Sequence, residues 1–187
     1  MKQYHAFLNI SARAALLFAA AASLFAQGGR NIIDITGGQK PAIAVPDFRG
    51  SGDAQTHMGV FNSTLFSNLQ DSGQFSMTPK TVMPLHIPQQ ATDFKGGAQG
   101  YSLPDWSGPP VNANYLAFGY TAVTNGQLVL YGWLFDVRQA NLSSANIFGK
   151  VYTGTLDEAG ARSVAQQFAA DILKNFGATG LVGTKIY

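Results

Sequence analysis

A chain of 187 residues with a formal charge of +2 has room for one domain plus a leader segment, or for two small domains. Charged residues make up 12% of it against the usual ~25%, and the lysines and arginines are scattered, which excludes the clustered basic surface of a nucleic-acid-binding protein. It contains no cysteine, which excludes disulfides and thiolate metal sites and leaves no thiol to carry a lipid.

Lys2 and Arg13 precede Ala14–Phe25, a stretch that is apolar except for Ser23, and Ala26 closes it. A basic start, a short apolar centre and a small residue at the end are the pattern of a secretory signal peptide, expected here over residues 1–26. The apolar centre is shorter than the roughly 20 residues that span a bilayer, so no membrane insertion is expected once it is cleaved. Export without disulfides suits a bacterial periplasm, where the core alone must hold the fold. Residues 27–40 follow as an amino-terminal arm: Gln27–Arg30 is polar, Asn31–Thr36 (NIIDIT) is β-prone, and Gly37-Gly38 separates it from what comes next. Such a segment is either an edge strand of the domain or an arm that pairs with a partner.

Residues 41–180 are read as one α/β domain. Ala42–Val45 is a short apolar strand, Gly50-Ser51-Gly52 a tight turn, and Met58, Phe61, Leu65 and Leu69 recur at helical spacing on one face. Asp53 is placed to cap that helix and Ser72-Gly73 to end it. Phe75–Val82 reads as a second short strand. Met83–Asn114 is rich in proline and glycine with little periodicity, and is expected to be a covering loop pinned by a helical turn at Asp105-Trp106-Ser107. Tyr115–Thr124 and Gln127–Arg138 form a hairpin through Asn125-Gly126, the preferred pair for a type I′ turn. The second of these strands is apolar on both faces, which predicts a central strand with helices over both sides. Ile147–Gly154 reads as a third antiparallel strand. The last helix runs from Asp157 to about Phe176, with Thr155 and Glu158 spaced as a capping box and Gly177 at its end. Leu181–Tyr187 starts a further β-prone run.

Little in the chain points to catalysis. Gly50-Ser51-Gly52 completes neither GxGxxG nor a Walker pattern, and Asp53 puts a negative charge where a bound phosphate would sit, so the turn reads as structural. His57 and His86 lie in different elements without a ligand partner at metal spacing, and no Gly-x-Ser-x-Gly elbow is present. Asp34, Asp47, Asp93, Asp105 and Asp136 are available carboxylates, but nothing in their order selects a catalytic pair. The stripe Tyr131, Trp133 and Phe135 reads as core rather than as a stacking platform. No enzyme, metal or cofactor is expected.

The succession NIIDITGGQKP, IAVPDF, helix, DSGQF, proline-rich loop with DWS, ANYLAFG, hairpin with LFD, YTG, final helix and GTKIY closely resembles the amino-terminal domain of the TolB family, periplasmic β-propeller proteins of the Tol-Pal system. The likeness covers Asn31–Tyr187; each piece is short, and their order and spacing carry it. The resemblance implies an α/β fold with a mixed β-sheet flanked by helices, of the anticodon-binding-domain type. It also implies a non-enzymatic adaptor whose arm engages the inner-membrane protein TolA, with Arg30, Ile32, Ile33, Asp34 and Ile35 as the contacts, through addition of a strand to the partner. In the family the lipoprotein Pal is bound through a carboxy-terminal propeller. Residues 181–187 are expected to be the start of that missing propeller domain. Two alternatives stand beside this: a penicillin-binding-protein activator of the LpoB type, in which strands like NYLAFG also precede a hairpin, and a small secreted ligand-binding protein or hydrolase.

Overall fold

The computed structural model describes residues 38–177. The expected signal peptide, the β-prone segment Asn31–Thr36 and the run Leu181–Tyr187 lie outside the described residues. The described elements are β1 (Ala42–Ala44), β2 (Arg49–Gly50), α1 (Met58–Asp71), β3 (Ser76–Met77), α2 (Pro104–Ser107), β4 (Tyr115–Thr124), β5 (Gln127–Asp136), α3 (Leu142–Ala145), β6 (Asn146–Thr155) and α4 (Glu158–Asn175). They build a six-stranded mixed sheet in the order β3-β1-β4-β5-β6, with β2 paired to β4 beyond the end of β1. β1 is parallel to both β3 and β4, whereas β4, β5 and β6 form an antiparallel meander. This is the α/β class expected: a mixed sheet flanked by helices.

The hairpin forms as its turn dipeptide predicts. Asn125 and Gly126 take φ of 53° and 73°, and Thr124 faces Gln127 across the turn. On one face of the sheet α1 and α4 pack together. Met58, Phe61, Leu65 and Leu69 of α1 are all buried, as are Ala161, Val164, Phe168 and Ile172 of α4, because residues at three- and four-residue intervals share a helix face. They close over Ile43, Ala117, Leu130 and Leu134 of the sheet. Phe168 crosses β5 at Gly132, where a Cβ would come within 3.0 Å of its ring.

The other face is covered by two single-turn helices, α2 and α3, set in irregular chain, with Ala145 of α3 buried in the cover. Ala44, Leu116, Phe118 and Phe135 are buried there by Phe94, Leu103, Trp106, Val111 and Ala113, all from the proline-rich stretch. A strand that is apolar on both faces demands cover, and short helical turns joined by irregular chain supply it when enough large side chains point inward. Two anchors hold this cover. The Asp105 carboxylate accepts from the Gly100 and Ser102 amides and the Ser102 hydroxyl, and the fully buried Trp106 donates its indole N–H to the Gly100 carbonyl at 2.8 Å.

Three local expectations are corrected. The helix after the glycine turn opens as a 3₁₀ segment, Gly52–His57, with Ser51 at its N-cap and no side-chain cap, so Asp53 lies inside the first turn instead of capping it. The expected strand Phe75–Val82 shrinks to β3, because Pro79 has no N–H to extend the ladder and Lys80–Val82 turns into a 3₁₀ helix. α4 is capped by Asp157, not by Thr155. Its carboxylate accepts from the Gly160 N–H at 2.6 Å, and the Thr155 hydroxyl donates to it at 2.8 Å, so the threonine braces the cap.

Candidate functional site

The arm residues Arg30, Ile32, Ile33, Asp34 and Ile35 fall outside the described residues. What is described is where that segment joins the domain. The Pro41 carbonyl accepts from the Ser76 amide on the β3 side, and the Ala42 amide donates to the Asn114 side chain on the β4 side, so the chain is held between both neighbours as it enters β1.

Within the described domain, a concave site lies at the carboxyl ends of β1 and β3. There the chain leaves β1 for β3 on one side and later returns to β4 on the other, the switch position where open α/β sheets hold ligands. Pro46 interrupts the strand between β1 and β2: Ala44 faces Leu116, but Arg49 faces Tyr120, one residue out of step. The displaced backbone is secured from α1. Asn62 accepts from the Phe48 amide at 2.8 Å and donates to the Phe48 carbonyl at 3.0 Å, while Gln55 accepts from Gly50 at 2.9 Å. Beside this repair is a groove of about 410 Å³ lined by Asp47, Arg49, Lys80, Met83, Pro84 and Ile87 among others. Lys80 pairs with Asp47 across it and lies over the Phe66 ring, 5.1 Å from its centre. The groove has an apolar wall and a rim of both charge signs. Among its lining residues no nucleophile stands beside a base.

The glycine turn is not a cradle. A Cβ on Gly50 would lie 2.5 Å from the Gln55 amide nitrogen, so the space a phosphate would take is filled by the chain's own backbone. The aspartates do not converge either. Asp47 pairs with Lys80; Asp93 accepts from the Gln89 and Gln90 amides; Asp105 anchors the cover; Asp136 accepts from Arg138 and Gln139. Burial pushes the Asp105 carboxyl up, but the Ser102 hydroxyl and the Gly100 and Ser102 amides outweigh it and hold the group below its ordinary range. Asp136 behaves likewise: burial raises it, while hydrogen bonds from Arg138 and Gln139 outweigh burial and hold it low. Arg138 also donates to the Tyr115 hydroxyl at 3.1 Å, and burial keeps that phenol protonated above its usual value. Among the described residues no group of three or more His, Asp or Glu is placed to hold a metal. No described helix is long and apolar enough to cross a membrane.

The aromatic stripe divides. Phe135 is buried as expected, but Tyr131 and Trp133 reach the rim. Tyr131 stacks on Tyr120 at 4.9 Å and Trp133 on Phe118 at 5.7 Å, continuing an aromatic face out to β6, where Val151 is 59% exposed. Neither this rim nor the Asn62 repair was visible in the sequence. The one available signal for the repair was a proline inside an apolar strand run.

No family model matches the chain, and no curated protein matches it. Among solved structures it is similar to TolB from Acinetobacter baumannii, with a TM-score of 0.51 and 18% identity over 78% of this chain and 30% of that one. The chain thus corresponds to less than a third of that TolB, and at this identity the likeness shows a shared fold, the mixed sheet flanked by helices. It is also similar to the hypothetical protein CT253 from Chlamydia trachomatis (TM-score 0.48, 11% identity, 75% of this chain and 100% of that one). A PelC dodecamer from Paraburkholderia phytofirmans matches with a TM-score of 0.39 and 18% identity over 74% of this chain and 89% of that one. Neither of the last two bears on function.

Proposed function

We propose that this chain is a non-enzymatic adaptor of the bacterial envelope, exported to the periplasm by residues 1–26 and acting in the manner of the Tol-Pal system. The fold shared with TolB from Acinetobacter baumannii over 78% of the chain is the observation that carries this reading. The order of short motifs from Asn31 to Tyr187 supports it, and so does the β-prone segment set ahead of β1 by two glycines. In this reading Arg30, Ile32, Ile33, Asp34 and Ile35 engage a TolA-like inner-membrane protein. The segment adds a strand to the partner's sheet: backbone hydrogen bonds supply affinity and alternating isoleucines set the register. Contact with a Pal-like lipoprotein is assigned to a propeller and not to the described domain.

The test is binding of the chain, with and without Arg30–Thr36, to the periplasmic carboxy-terminal domain of a TolA-family protein from the same organism. Deletion is expected to abolish binding, and Ile33→Asp to weaken it at least tenfold, or about 1.4 kcal/mol. Equal affinity of the deleted and intact chains overturns the arm assignment.

A further inference from the structure

β6 ends the sheet order, so its outer edge has no neighbour among the described residues. It is ten residues long, and every second residue of an edge strand directs its N–H and C=O outward as a template for another strand. The usual protections are sparse. β6 has no proline, its irregularity is confined to the end near Asn146, and Phe148–Thr155 pairs with β5 without a break. Its single charge, Lys150, turns back to Asp171 at 2.9 Å on the α4 side of the sheet. On the opposite side Val151 stands beside Tyr131, and the Trp133 indole lies over Gly149 so closely that a Cβ there would come within 2.5 Å of it.

We propose that this edge receives the segment Ile32–Thr36 of a second copy of the chain as an antiparallel strand. Asp34 is the one charged residue in Asn31–Thr36, and Lys150 is the one charged residue in β6. Placing them opposite each other sets Ile33 against Val151 and Ile35 against Gly149, both on the aromatic face, with Ile32 opposite Tyr152. A slip of one residue turns Ile33 and Ile35 to the wrong face, and a slip of two separates the charges, so one register satisfies both. Lys150 remains 50% exposed and has three donors, enough to serve Asp171 and Asp34 together.

The donor must be another copy because the chain's own segment falls short. A strand beyond β6 lies four strand spacings from β1, about 19 Å. From Lys40 back to Thr36 four extended residues span about 14 Å, less than that distance. This assignment goes beyond the adaptor role and does not depend on it; it also makes self-association a competitor for the same segment.

Sedimentation velocity of the protein as recovered from the cell, over rising concentration, is the test. Self-association is expected, and Asp34→Lys, a change ahead of the folded domain in sequence, is expected to weaken it roughly tenfold by placing like charges opposite each other. The partner variant is Lys150→Asp combined with Asp171→Lys, which reverses the edge charge while keeping an ion pair within the domain but removes the carboxylate that accepts from the Tyr152 hydroxyl, so its melting curve is compared with the parent's before association is measured. Each variant alone is expected to associate weakly. An equimolar mixture of the two is expected to recover the original affinity, because the arm that now carries a lysine meets the edge that now carries an aspartate. A monomer at all concentrations, association indifferent to Asp34→Lys, or a mixture that fails to recover overturns the proposal.

Discussion

Asn62 is a helix residue that stands in for a strand. Its amide closes both backbone groups of Phe48, where the break at Pro46 leaves them without a ladder partner. The buried ring of Phe48 depends on that placement, since it meets Phe61 at 5.2 Å and Phe168 at 5.9 Å, tying the interrupted strand to both long helices. Removing one partner from a sheltered hydrogen bond leaves the other unsatisfied, so Asn62→Ala is expected to cost about 1–3 kcal/mol in urea denaturation. Asn62→Asp keeps the acceptor but sets a carboxylate against the Phe48 carbonyl, and is expected to be no better. If Asn62→Ala unfolds at the same urea concentration as the parent, the rung carries no stability. No sequence pattern announces this role, because the residue that needs Asn62 is fixed by a strand break elsewhere in the chain.

At the scale of elements, hydrophobic period and turn chemistry were enough for the regular parts. Asn125-Gly126 located the hairpin, and the apolar spacings of α1 and α4 located their buried faces, because each of those signals is local. The cover over the second face could be named as a covering loop pinned by a turn at Asp105-Trp106-Ser107, but not placed. Its order comes from Asp105 and Trp106 converging on one bend near Gly100, and such convergence has no period to detect. The same anchor gives the cover a pH dependence. The folded Asp105 carboxyl lies below its unfolded value, so the unfolded chain takes up its proton first as pH falls. The stability it contributes is complete above the unfolded value of about 3.9 and is lost as pH drops through the lower folded value. Acid titration followed by tryptophan fluorescence is expected to show a shallower loss for Asp105→Asn than for the parent. Identical profiles would mean that the carboxylate does not hold the cover.

For the whole molecule, the class of fold was legible from residue order, and the likeness to TolB agrees with it. The expected arm lies outside the described residues, while the groove and the β6 edge had no sequence signal because they depend on how distant strands come to lie side by side. That arrangement has a consequence for how the chain reaches it. β4, β5 and β6 follow one another with only the short α3 between β5 and β6, each pairs with its neighbour in sequence, and α4 comes next. β1, in contrast, joins β4 through a closure in which the Ala42 amide donates to the Asn114 side chain 72 residues away. Closing long loops is entropically slow relative to forming a hairpin, so the carboxy-terminal meander is expected to assemble first and the β1–α1–β3 unit to dock onto it later. In pulsed hydrogen exchange during refolding, the amides of β5 are expected to gain protection before those of β1 and β3. Simultaneous protection would instead make the sheet a single folding event.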